Sequence, residues 1–316
     1  GFRVRFPRRM TLLNPATGEL LARLVARYLP AGEVSVVNGG PDVAREFCRL
    51  PFDHLLFTGS TGVGRDVMKA ASANLTPVTL ELGGKSPAIV TESFDLAETA
   101  RRLMYGKLMN AGQTCVAPDY ALVPEALVGP FVEACRAATL TFYPTLATNP
   151  QYTSIINERQ FRRLSACIQD ARDKGATIHA LHDEATDAER RRLSPVAVTN
   201  TGDDMRLMQE EIFGPVLPVV GYGSIEEAIA YVNARPRPLA LYYFGTESAE
   251  LDAVLVRTIS GGVTVNNTSF HVAQEDLPFG GVGPSGMGQY HGQTGFDTFS
   301  KLKPVFHDGR LSGSKL

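Results

Sequence analysis

Residues 54–84 read "HLLFTGSTGVGRDVMKAASANLTPVTLELGG", in which two short apolar runs flank a longer amphipathic stretch. The runs "HLLFTG" and "PVTLELGG" end in glycine and are typical of short buried strands. Between them, "GVGRDVMKAAS" has the apolar spacing of a helix. A strand, a helix and a strand in this order predict a parallel, doubly wound sheet.

The same alternation continues on both sides of this unit. Before it, we expect helices at "GELLARLVARYL" and "PDVAREFCRL" and a short buried strand at "VSVVNGG". After it, we expect longer helices at "DLAETARRLMYGKLM", "LVGPFVEACRAATL" and "ERQFRRLSACIQDARDKG", with strands such as "YALV" and "VLPVVGY" between them. The pattern predicts an α/β protein of two lobes that are divided near Gly83 and Gly84.

Composition excludes several classes of protein. The 316 residues are 44% hydrophobic and 20% charged, as in a globular protein of about two domains. A net charge of −2 argues against a nucleic-acid or membrane partner, and no apolar run approaches the ~18–20 residues that span a membrane. Four cysteines without a C-x-x-C pair favour a reducing compartment, the cytoplasm, over a disulfide framework or a zinc ribbon. The first residue is Gly1, which we interpret as the start of a fragment that lacks an N-terminal portion.

The segment "GSTGVG" joins the first strand of the opening unit to its helix. Its glycines let a ligand approach the backbone, and the helix N-terminus presents free N–H groups to an anion such as a pyrophosphate. Such a turn is a usual dinucleotide site, although a tight turn without a ligand has the same residues. Arg65 and Asp66 stand where a Walker motif requires Lys and Ser or Thr, which excludes that motif.

Two further segments resemble phosphate-binding motifs but lack their context. "GGKS" at residues 83–86 has Thr79 where a Walker motif begins with glycine, so we reject it. "GVGPSG" at residues 281–286 has the spacing G-x-G-x-x-G, but no predicted strand precedes it and Pro284 opposes a helix start. We predict a glycine-rich loop there.

Two residues suit acid–base and nucleophilic chemistry. Glu81 lies between Leu80 and Leu82 at the end of an apolar strand, where burial raises a carboxyl pKa toward the range of a general base. The alternative is an exposed carboxylate with no chemical role. Cys115 lies in the predicted loop "NAGQTCVAPDY", whose small and polar residues suit an accessible thiolate with N–H donors nearby.

The other cysteines and the histidines have plainer explanations. Cys48, Cys135 and Cys167 fall at helical periods and are predicted to be small buried side chains. His179 and His182 have a weak metal-like spacing, but a solvated, charged stretch explains them better, and we predict no metal site. No histidine is obviously placed for a Cys–His dyad.

Six segments in order resemble the NAD(P)-dependent aldehyde dehydrogenase superfamily, and specifically its class 3 and coniferyl-aldehyde-dehydrogenase-like branch. They are "FTGSTGVG", "LELGGKSP", "NAGQTC", "QEEIFGPV", "NARPRPLALYYFG" and "HVAQEDLPFGGVGPSGMGQYHGQTGFDTFS". The match runs from about Asn14 to the end of the chain. The resemblance implies a fold of two doubly wound lobes, of which the N-terminal cofactor lobe is incomplete here.

The resemblance also implies a mechanism. Cys115 would be the nucleophile that attacks an aldehyde, and its backbone N–H would form half of the oxyanion hole. Transfer of a hydride to NAD or NADP would leave a thioester, which water activated by Glu81 would hydrolyse to the carboxylic acid. The resemblance assigns seven residues to the cofactor, at the pyrophosphate Gly59, Ser60 and Gly64, at the nicotinamide side Leu82 and Gly83, and at the nicotinamide ribose and ring Glu211 and Phe213.

Residues 1–13 depart from the family pattern. The segment "RVRFPRRMTLLNPAT" lacks the lysine and glutamate with which the family holds the adenosine ribose, and either a frameshift or a divergent segment explains this. Arg8 or Arg9 opposite a 2′-phosphate would favour NADP. The asparagine that completes the family's oxyanion hole is expected in the N-terminal portion that this chain lacks.

We therefore predict the C-terminal part of a Rossmann-like cofactor domain at 1–82 and a catalytic domain at 83–290. A tail at 291–316 would belong to the cofactor lobe and to the oligomerisation region of a homodimer. The predicted function is oxidation of an apolar or aromatic, coniferyl-aldehyde-like substrate. Two alternatives stay open: an impaired fragment or non-enzymatic remnant, and a cofactor-independent esterase that uses Cys115 and Glu81.

Overall fold

The structure is a computed structural model that describes residues 15–30, 32–246 and 248–307. The predictions for Arg8 and Arg9 lie outside the described residues, as do residues 308–316 of the expected tail. Within the described part of the chain, no helix has both the length and the apolar character needed to cross a membrane.

The opening unit of the sequence forms a small sheet with one helix against it. The elements of this region are α1 (Pro15–Tyr28), α2 (Pro41–Cys48), β1 (Leu55–Gly59), α3 (Thr61–Ser72) and β2 (Val78–Leu82). β1 pairs in parallel with β2, as the strand–helix–strand pattern predicts. A two-residue strand from the C-terminal region pairs antiparallel with the other edge of β2 and completes a three-stranded sheet.

A second, seven-stranded sheet contains most of the remaining chain. Its strands are β3 (Pro87–Val90), β4 (Tyr120–Pro124), β5 (Thr177–Ala180), β6 (Val196–Thr199), β7 (Val216–Tyr222), β8 (Ala240–Phe244) and β9 (Gly262–Val265), whereas β10 (Gly286–Met287) is the short strand of the small sheet. The order is β5-β6-β7-β4-β3-β8-β9, and every pair is parallel except β5 with β6. The predicted α/β class with parallel sheets is confirmed.

Helices cover both faces of the large sheet. They are α4 (Leu96–Leu108), α5 (Val128–Phe142), α6 (Glu158–Asp173), α7 (Arg206–Gln209), α8 (Ile225–Asn233), α9 (Ala249–Arg257), α10 (Phe270–Ala273) and α11 (Gly292–Thr298). In β3, Ala88 and Val90 belong to the core under α4 and α5, whereas Ile89 belongs to the core under α8 and α9. Parallel strands that are buried on both faces read as continuous apolar runs, which is why these segments were recognisable.

The packing of α3 on the small sheet requires glycine at one position. The small core consists of Leu55, Val67, Leu80 and Leu82. Gly64 of α3 lies over Leu82, and a Cβ on Gly64 would stand 2.6 Å from Leu82 Cδ2. The last glycine of "GSTGVG" therefore permits close helix–strand contact, which is the packing role of that position in dinucleotide-binding turns.

Two local expectations are wrong. The segment "VSVVNGG" forms no strand, because residues 34–37 are half-buried or exposed and pair with no strand among the described residues. Cys48 is half-buried instead of buried, since α2 buries none of its residues completely, whereas Cys135 and Cys167 are buried as expected. The loop predicted at "GVGPSG" is confirmed, with no helix over residues 281–286.

The segment 83–86 connects β2 of the small sheet directly to β3 of the large sheet. As a result, the carboxyl ends of β1 and β2 face the amino ends of the large-sheet strands. The division of the chain into domains at 82 and 290 stays a prediction; in the structure, β10 lies before residue 290 and belongs to the small sheet.

Candidate active site

The candidate site lies between the two sheets, where three loops meet. They precede β3, β4 and β7, and hydrogen bonds join them. The Asp119 N–H donates to Ser86 O at 2.7 Å, the Ile212 N–H donates to Asp119 Oδ1 at 2.8 Å, and the backbone N–H of Gly84 acts on the Glu211 carboxylate and lowers its pKa. These loops carry Cys115 and Glu211, and the strand that leads into the first of them carries Glu81.

Glu81 is a buried carboxyl group. It lies in β2 opposite Thr58 on one side and Gly286 on the other, and only 3% of its surface is exposed. Neither carboxyl oxygen has a hydrogen-bond partner among the residues that the structure describes. Burial without such partners raises the pKa of Glu81 to about 8, which is the range of a general base at neutral pH.

The loop that carries Cys115 has an unusual backbone. Asn110, Ala111 and Gly112 are all in the left-handed region, with φ of 54°, 52° and 74°. Gly112 packs so tightly against Gly214 O that a side chain would overlap that carbonyl. Left-handed backbone at residues other than glycine is costly and is found mainly at functional sites.

The side chain of Gln113 fixes this loop to the segment 154–156 of the same chain. Its Nε2 donates to Asn110 O at 3.0 Å and to Ser154 O at 3.1 Å, and its Oε1 accepts from the Ile156 N–H at 2.9 Å. All functional atoms of the amide are therefore used in holding the loop, so Gln113 orients Cys115 through the backbone.

Cys115 is half-buried and lies near two carboxylates. Burial, together with the nearby carboxylates of Glu211 and Glu81, raises the pKa of its thiol to about 11. The N–H groups of Cys115 and Val116 oppose this rise by donating toward the sulfur. The thiol is therefore coupled to both carboxyl groups that the sequence singled out, and it needs a proton acceptor before it can attack.

Of the predicted pyrophosphate residues, Gly59 and Ser60 lie at the exposed N-terminus of α3, whereas Gly64 is buried against Leu82. Ser60 is the N-cap, and its Oγ accepts from the Val63 N–H at 3.5 Å. Gly59 ends β1 and is exposed, and Gly62 has open space where a side chain would point. An exposed helix N-terminus with a glycine surface suits a phosphate anion.

Glu211 and Gly83 lie against each other. A Cβ on Gly83 would overlap the Glu211 carboxylate, so only glycine leaves room for it. Burial raises the pKa of Glu211 to about 7; the Asp119 carboxylate adds to the rise, and the Gly84 N–H, Lys85 and Arg163 oppose it. An acceptor held at this place suits a ligand that carries hydroxyl groups.

Leu82 and Phe213 complete the predicted cofactor residues. The Leu82 side chain is buried in the small core, so it meets the site only through its backbone. Phe213 has a φ of 51° and a ring that is 38% exposed at the site. A left-handed phenylalanine with an exposed ring is the kind of strained residue that clusters at ligand sites.

Four residues near the site were missed by reasoning from the sequence. Lys85 and Asp119 form a buried ion pair beneath Glu211, and Lys107 is buried nearby, with burial lowering its pKa to about 8. Tyr290 lies near Glu81 and Cys115, and burial with these two charges raises its pKa to about 12. A charged residue inside a glycine-rich or apolar motif is the only signal that the sequence offers for the first three.

The two histidines with metal-like spacing are wrongly described as solvated. His182 is buried; its Nε2–H donates to Tyr143 O at 2.9 Å and its Nδ1 accepts from the Glu184 N–H at 3.0 Å. His179 is half-buried and bonds Thr199 Oγ1 at 2.8 Å. Within the described ranges, no group of three or more His, Cys, Asp or Glu side chains could hold a metal ion.

Known proteins are similar to this chain in sequence. The profile of the aldehyde dehydrogenase family matches residues 9–305. A relative from Pseudomonas aeruginosa, named "Probable coniferyl aldehyde dehydrogenase", is 56% identical over 98% of this chain. That alignment covers 64% of the relative, so the chain spans about two thirds of the length of this curated protein.

Solved structures share the fold. The substrate-bound AldH of Staphylococcus aureus has a TM-score of 0.90 at 38% identity, over 97% of this chain and 67% of its own. The aldehyde dehydrogenase of Mycobacterium tuberculosis complexed with NAD+ has a TM-score of 0.83 at 31% identity, over 94% of this chain and 62% of its own. Both the family profile and these structures extend over the two sheets and the loops between them. The chain belongs to the aldehyde dehydrogenase family.

Proposed function

We propose that this chain carries the catalytic site for NAD- or NADP-dependent oxidation of an aldehyde to a carboxylic acid. The observation that carries the proposal is the meeting of Cys115, Glu81 and Glu211 between the sheets, with both carboxyl groups acting on the thiol pKa. A nucleophile, a base and a ligand acceptor are the groups that this chemistry needs.

Features of the site support binding of a dinucleotide. The N-terminus of α3 is exposed beside Gly59 and Ser60, and the Glu211 carboxylate fits only over a glycine, Gly83. These features suit a pyrophosphate and a ribose respectively. The aldehyde dehydrogenase of Mycobacterium tuberculosis, which has this fold, is complexed with NAD+. The choice between NAD and NADP belongs to residues outside the described part of the chain.

Cys115 and Glu81 perform the proposed covalent chemistry. The Cys115 thiol gives its proton to solvent, its sulfur adds to the aldehyde carbon, and the oxyanion that forms is stabilised by the Cys115 N–H. The chemistry that NAD or NADP supplies when bound is acceptance of a hydride, which leaves a thioester on Cys115. Glu81 takes a proton from water, the resulting hydroxide attacks the thioester carbon, the C–S bond breaks to release the acid, and Glu81 returns the proton to the Cys115 thiolate.

The proposed substrate is an apolar or aromatic aldehyde of the coniferyl type. The support is the name of the relative from Pseudomonas aeruginosa, which is 56% identical to this chain. Tyr290 lies beside Cys115 and Glu81, and an aromatic ring at this place favours a planar apolar substrate.

Trapping the acyl-enzyme tests the proposal directly. The chain is mixed with coniferyl aldehyde and NAD+ or NADP+, nicotinamide reduction is followed by fluorescence, and the protein is analysed by mass spectrometry. We expect reduced nicotinamide with the wild type, and a thioester adduct on Cys115 that accumulates in Glu81→Gln because hydrolysis is slowed.

The same assay separates the alternatives. Neither turnover nor saturable cofactor binding would identify a remnant without activity. Hydrolysis of an activated ester without nicotinamide, together with no reduction of NAD+ or NADP+, would identify an esterase that uses Cys115 and Glu81.

Two further expectations stay predictions. A homodimer is expected from the family, and light scattering at several protein concentrations checks it. A reducing, cytoplasmic location is expected from the four cysteines without a C-x-x-C pair, and fractionation of cells that express the protein checks it.

A further inference from the structure

A buried ion pair lies directly beneath Glu211. Lys85 and Asp119 are 9% and 3% exposed, and their charged atoms are in contact. Lys85 belongs to the loop before β3 and Asp119 to the loop before β4, so the pair ties together the two loops that flank the site. A buried pair of this kind contributes little net stability, because the cost of desolvating the two charges offsets their attraction. Its contribution to the geometry of the site has to be judged separately, from the bonds that it makes.

The remaining bonds of the pair converge on one segment, residues 207–212. Lys85 Nζ donates to Leu207 O at 2.7 Å and to Glu210 O at 3.1 Å, which together with Asp119 uses all three of its N–H donors. Asp119 Oδ1 accepts from the Ile212 N–H at 2.8 Å. The pair thus holds the backbone on both sides of Glu211.

Arg163 holds the same segment from the other direction. Its Nη1 donates to Glu211 O at 3.2 Å and its Nη2 donates to Ile212 O at 2.5 Å. With these bonds, Glu210 O, Glu211 O, the Ile212 N–H and Ile212 O each have a side-chain partner. The Glu211 side chain then reaches back to the Gly84 N–H, over Gly83.

We propose that the buried Lys85–Asp119 pair is a positioning device for Glu211, which fixes residues 207–212 so that the Glu211 carboxylate stands over Gly83 and meets a hydroxyl of the bound cofactor. The part that concerns the cofactor rests on the proposed function. The part that concerns the orientation of Glu211 does not, and it is measurable on the chain alone.

If the Lys85–Asp119 pair acted on Glu211 only through its charges, the two variants would change cofactor affinity in a different pattern from the one that a positioning role predicts. The charged or titratable groups of other elements that face Glu211 are Lys85, Lys107, Cys115, Asp119 and Arg163. Loss of the Asp119 charge lowers the pKa of Glu211, whereas loss of the Lys85 charge raises it. If the pair acted only by charge, Asp119→Asn would ionise Glu211 more and tighten cofactor binding, and Lys85→Met would weaken it.

The experiment compares Asp119→Asn with Lys85→Met. The first readout is the dissociation constant of NADH, measured by fluorescence. Steady-state kinetics then gives the changes in KM for NAD+ and in kcat, which are compared with each other. We expect both variants to weaken cofactor binding about tenfold, the scale of one lost bond to a charged group, with a larger effect on KM than on kcat.

The second readout needs no cofactor. In the wild type, the amide resonance of Gly84 should titrate with Glu211, because the carboxylate lies over Gly83 and the Gly84 N–H lowers its pKa. Glu211→Gln assigns that titration. We expect the titration of the Gly84 amide to disappear in both variants, even if the wild type binds no nicotinamide and the proposed function fails.

Asp170→Asn is the matched control. Asp170 Oδ2 accepts from the Arg206 N–H at 2.8 Å and Asp170 pairs with Lys174, so the same substitution breaks the same kinds of bond at the distant end of this segment. We expect it to leave both readouts unchanged. If a single variant at the pair fails to fold, Lys85→Met/Asp119→Leu leaves no unpaired buried charge and is expected to give the same two losses.

Two results would overturn the proposal. One is a Gly84 amide that still titrates with Glu211 in both variants. The other is a change in cofactor affinity of opposite sign in Asp119→Asn and Lys85→Met, which would assign the pair an electrostatic effect without a positional one.

Discussion

At Cys115, the surroundings oppose ionisation of the proposed nucleophile. Burial and the nearby carboxylates of Glu211 and Glu81 raise the thiol pKa to about 11, so almost no thiolate exists at neutral pH in the free chain. Glu81, whose pKa is about 8, is partly ionised under the same conditions. The thiol therefore has to lose its proton to solvent before attack, and the ionised fraction of Glu81 stays available to take a proton from water in the later hydrolysis.

Replacement of Cys115 tests the nucleophile. We expect Cys115→Ala to reduce kcat by at least about 10³-fold, because the covalent route is lost, and to leave the affinity for NADH nearly unchanged. Steady-state kinetics and a fluorescence titration measure the two effects. Cys48→Ala, which removes another half-buried thiol far along the chain, is the control and should keep full activity. Equal loss in both variants, or none in Cys115→Ala, would contradict the assignment.

The pH dependence of turnover tests Glu81. Only the deprotonated carboxylate can take a proton from water, and burial raises the pKa of Glu81 to about 8. We therefore expect kcat for hydrolysis of the thioester to rise about tenfold per pH unit below pH 8 and to level off above it. In Glu81→Gln this limb should vanish and the residual rate should be nearly independent of pH. A limb that persists in the variant would belong to another group.

Glu81 and Cys115 can be chosen from the sequence because each contrasts with its neighbours, a carboxylate among leucines and a cysteine among small polar residues. Lys85 and Asp119 offer only the weaker signal of a charged residue in a glycine-rich or apolar segment, which does not say what each residue contacts. Their pairing appears only when the loops before β3 and β4 come together. The burial of His182 escapes prediction for the same reason, since its partner Tyr143 comes from a distant turn.

At the scale of elements, the site lies at the amino ends of the large-sheet strands. In doubly wound sheets, ligands usually bind beyond the carboxyl ends of the strands. That rule holds here for β1 and β2 of the small sheet, but the loops that carry Cys115 and Glu211 precede β4 and β7. The sequence predicts β1, β2, β4, β7 and the loop that carries Cys115; that the segment 83–86 turns one sheet end toward the other is a property of the assembled fold.

The contact of α3 with β2 can be tested with a matched pair of glycines. In Gly64→Ala the new methyl group would stand 2.6 Å from Leu82 Cδ2, so we expect a loss of about 1–3 kcal/mol in the free energy of unfolding. Gly62→Ala adds the same methyl group to the same helix where no atom lies within 4 Å, and its stability should be unchanged or slightly higher. Urea denaturation measures both. Equal stabilities would show that α3 does not pack tightly on the small sheet.

At the scale of the whole molecule, the two sheets differ in how much they bury. The small sheet has a core of four buried residues, whereas the large sheet is covered by three buried clusters. β1 lies at the edge of the small sheet. In α1, which precedes β1 along the chain, only Gly18 is buried. The glycine turn and Glu81 therefore lie in the less buried part of the described chain, whereas Cys115 lies in the more buried part.

Native-state hydrogen exchange should resolve this difference. Local opening requires less free energy where fewer apolar contacts are lost, so we expect amides of β1 and α3 to exchange well before those of β3 and β4, which lie in the middle of the large sheet. NADH at saturating concentration binds only the folded turn, so it should slow exchange in β1 and α3 more than in β3. The size of this effect depends on the concentration of NADH relative to its dissociation constant. Edge strand β5 is the control for exposure, because it also lies at a sheet edge but is far from the proposed cofactor site, and NADH should not change its exchange. Uniform exchange across both sheets would instead mean that the chain opens as one cooperative unit, in which binding at the turn stabilises the Cys115 loop as strongly as the turn itself.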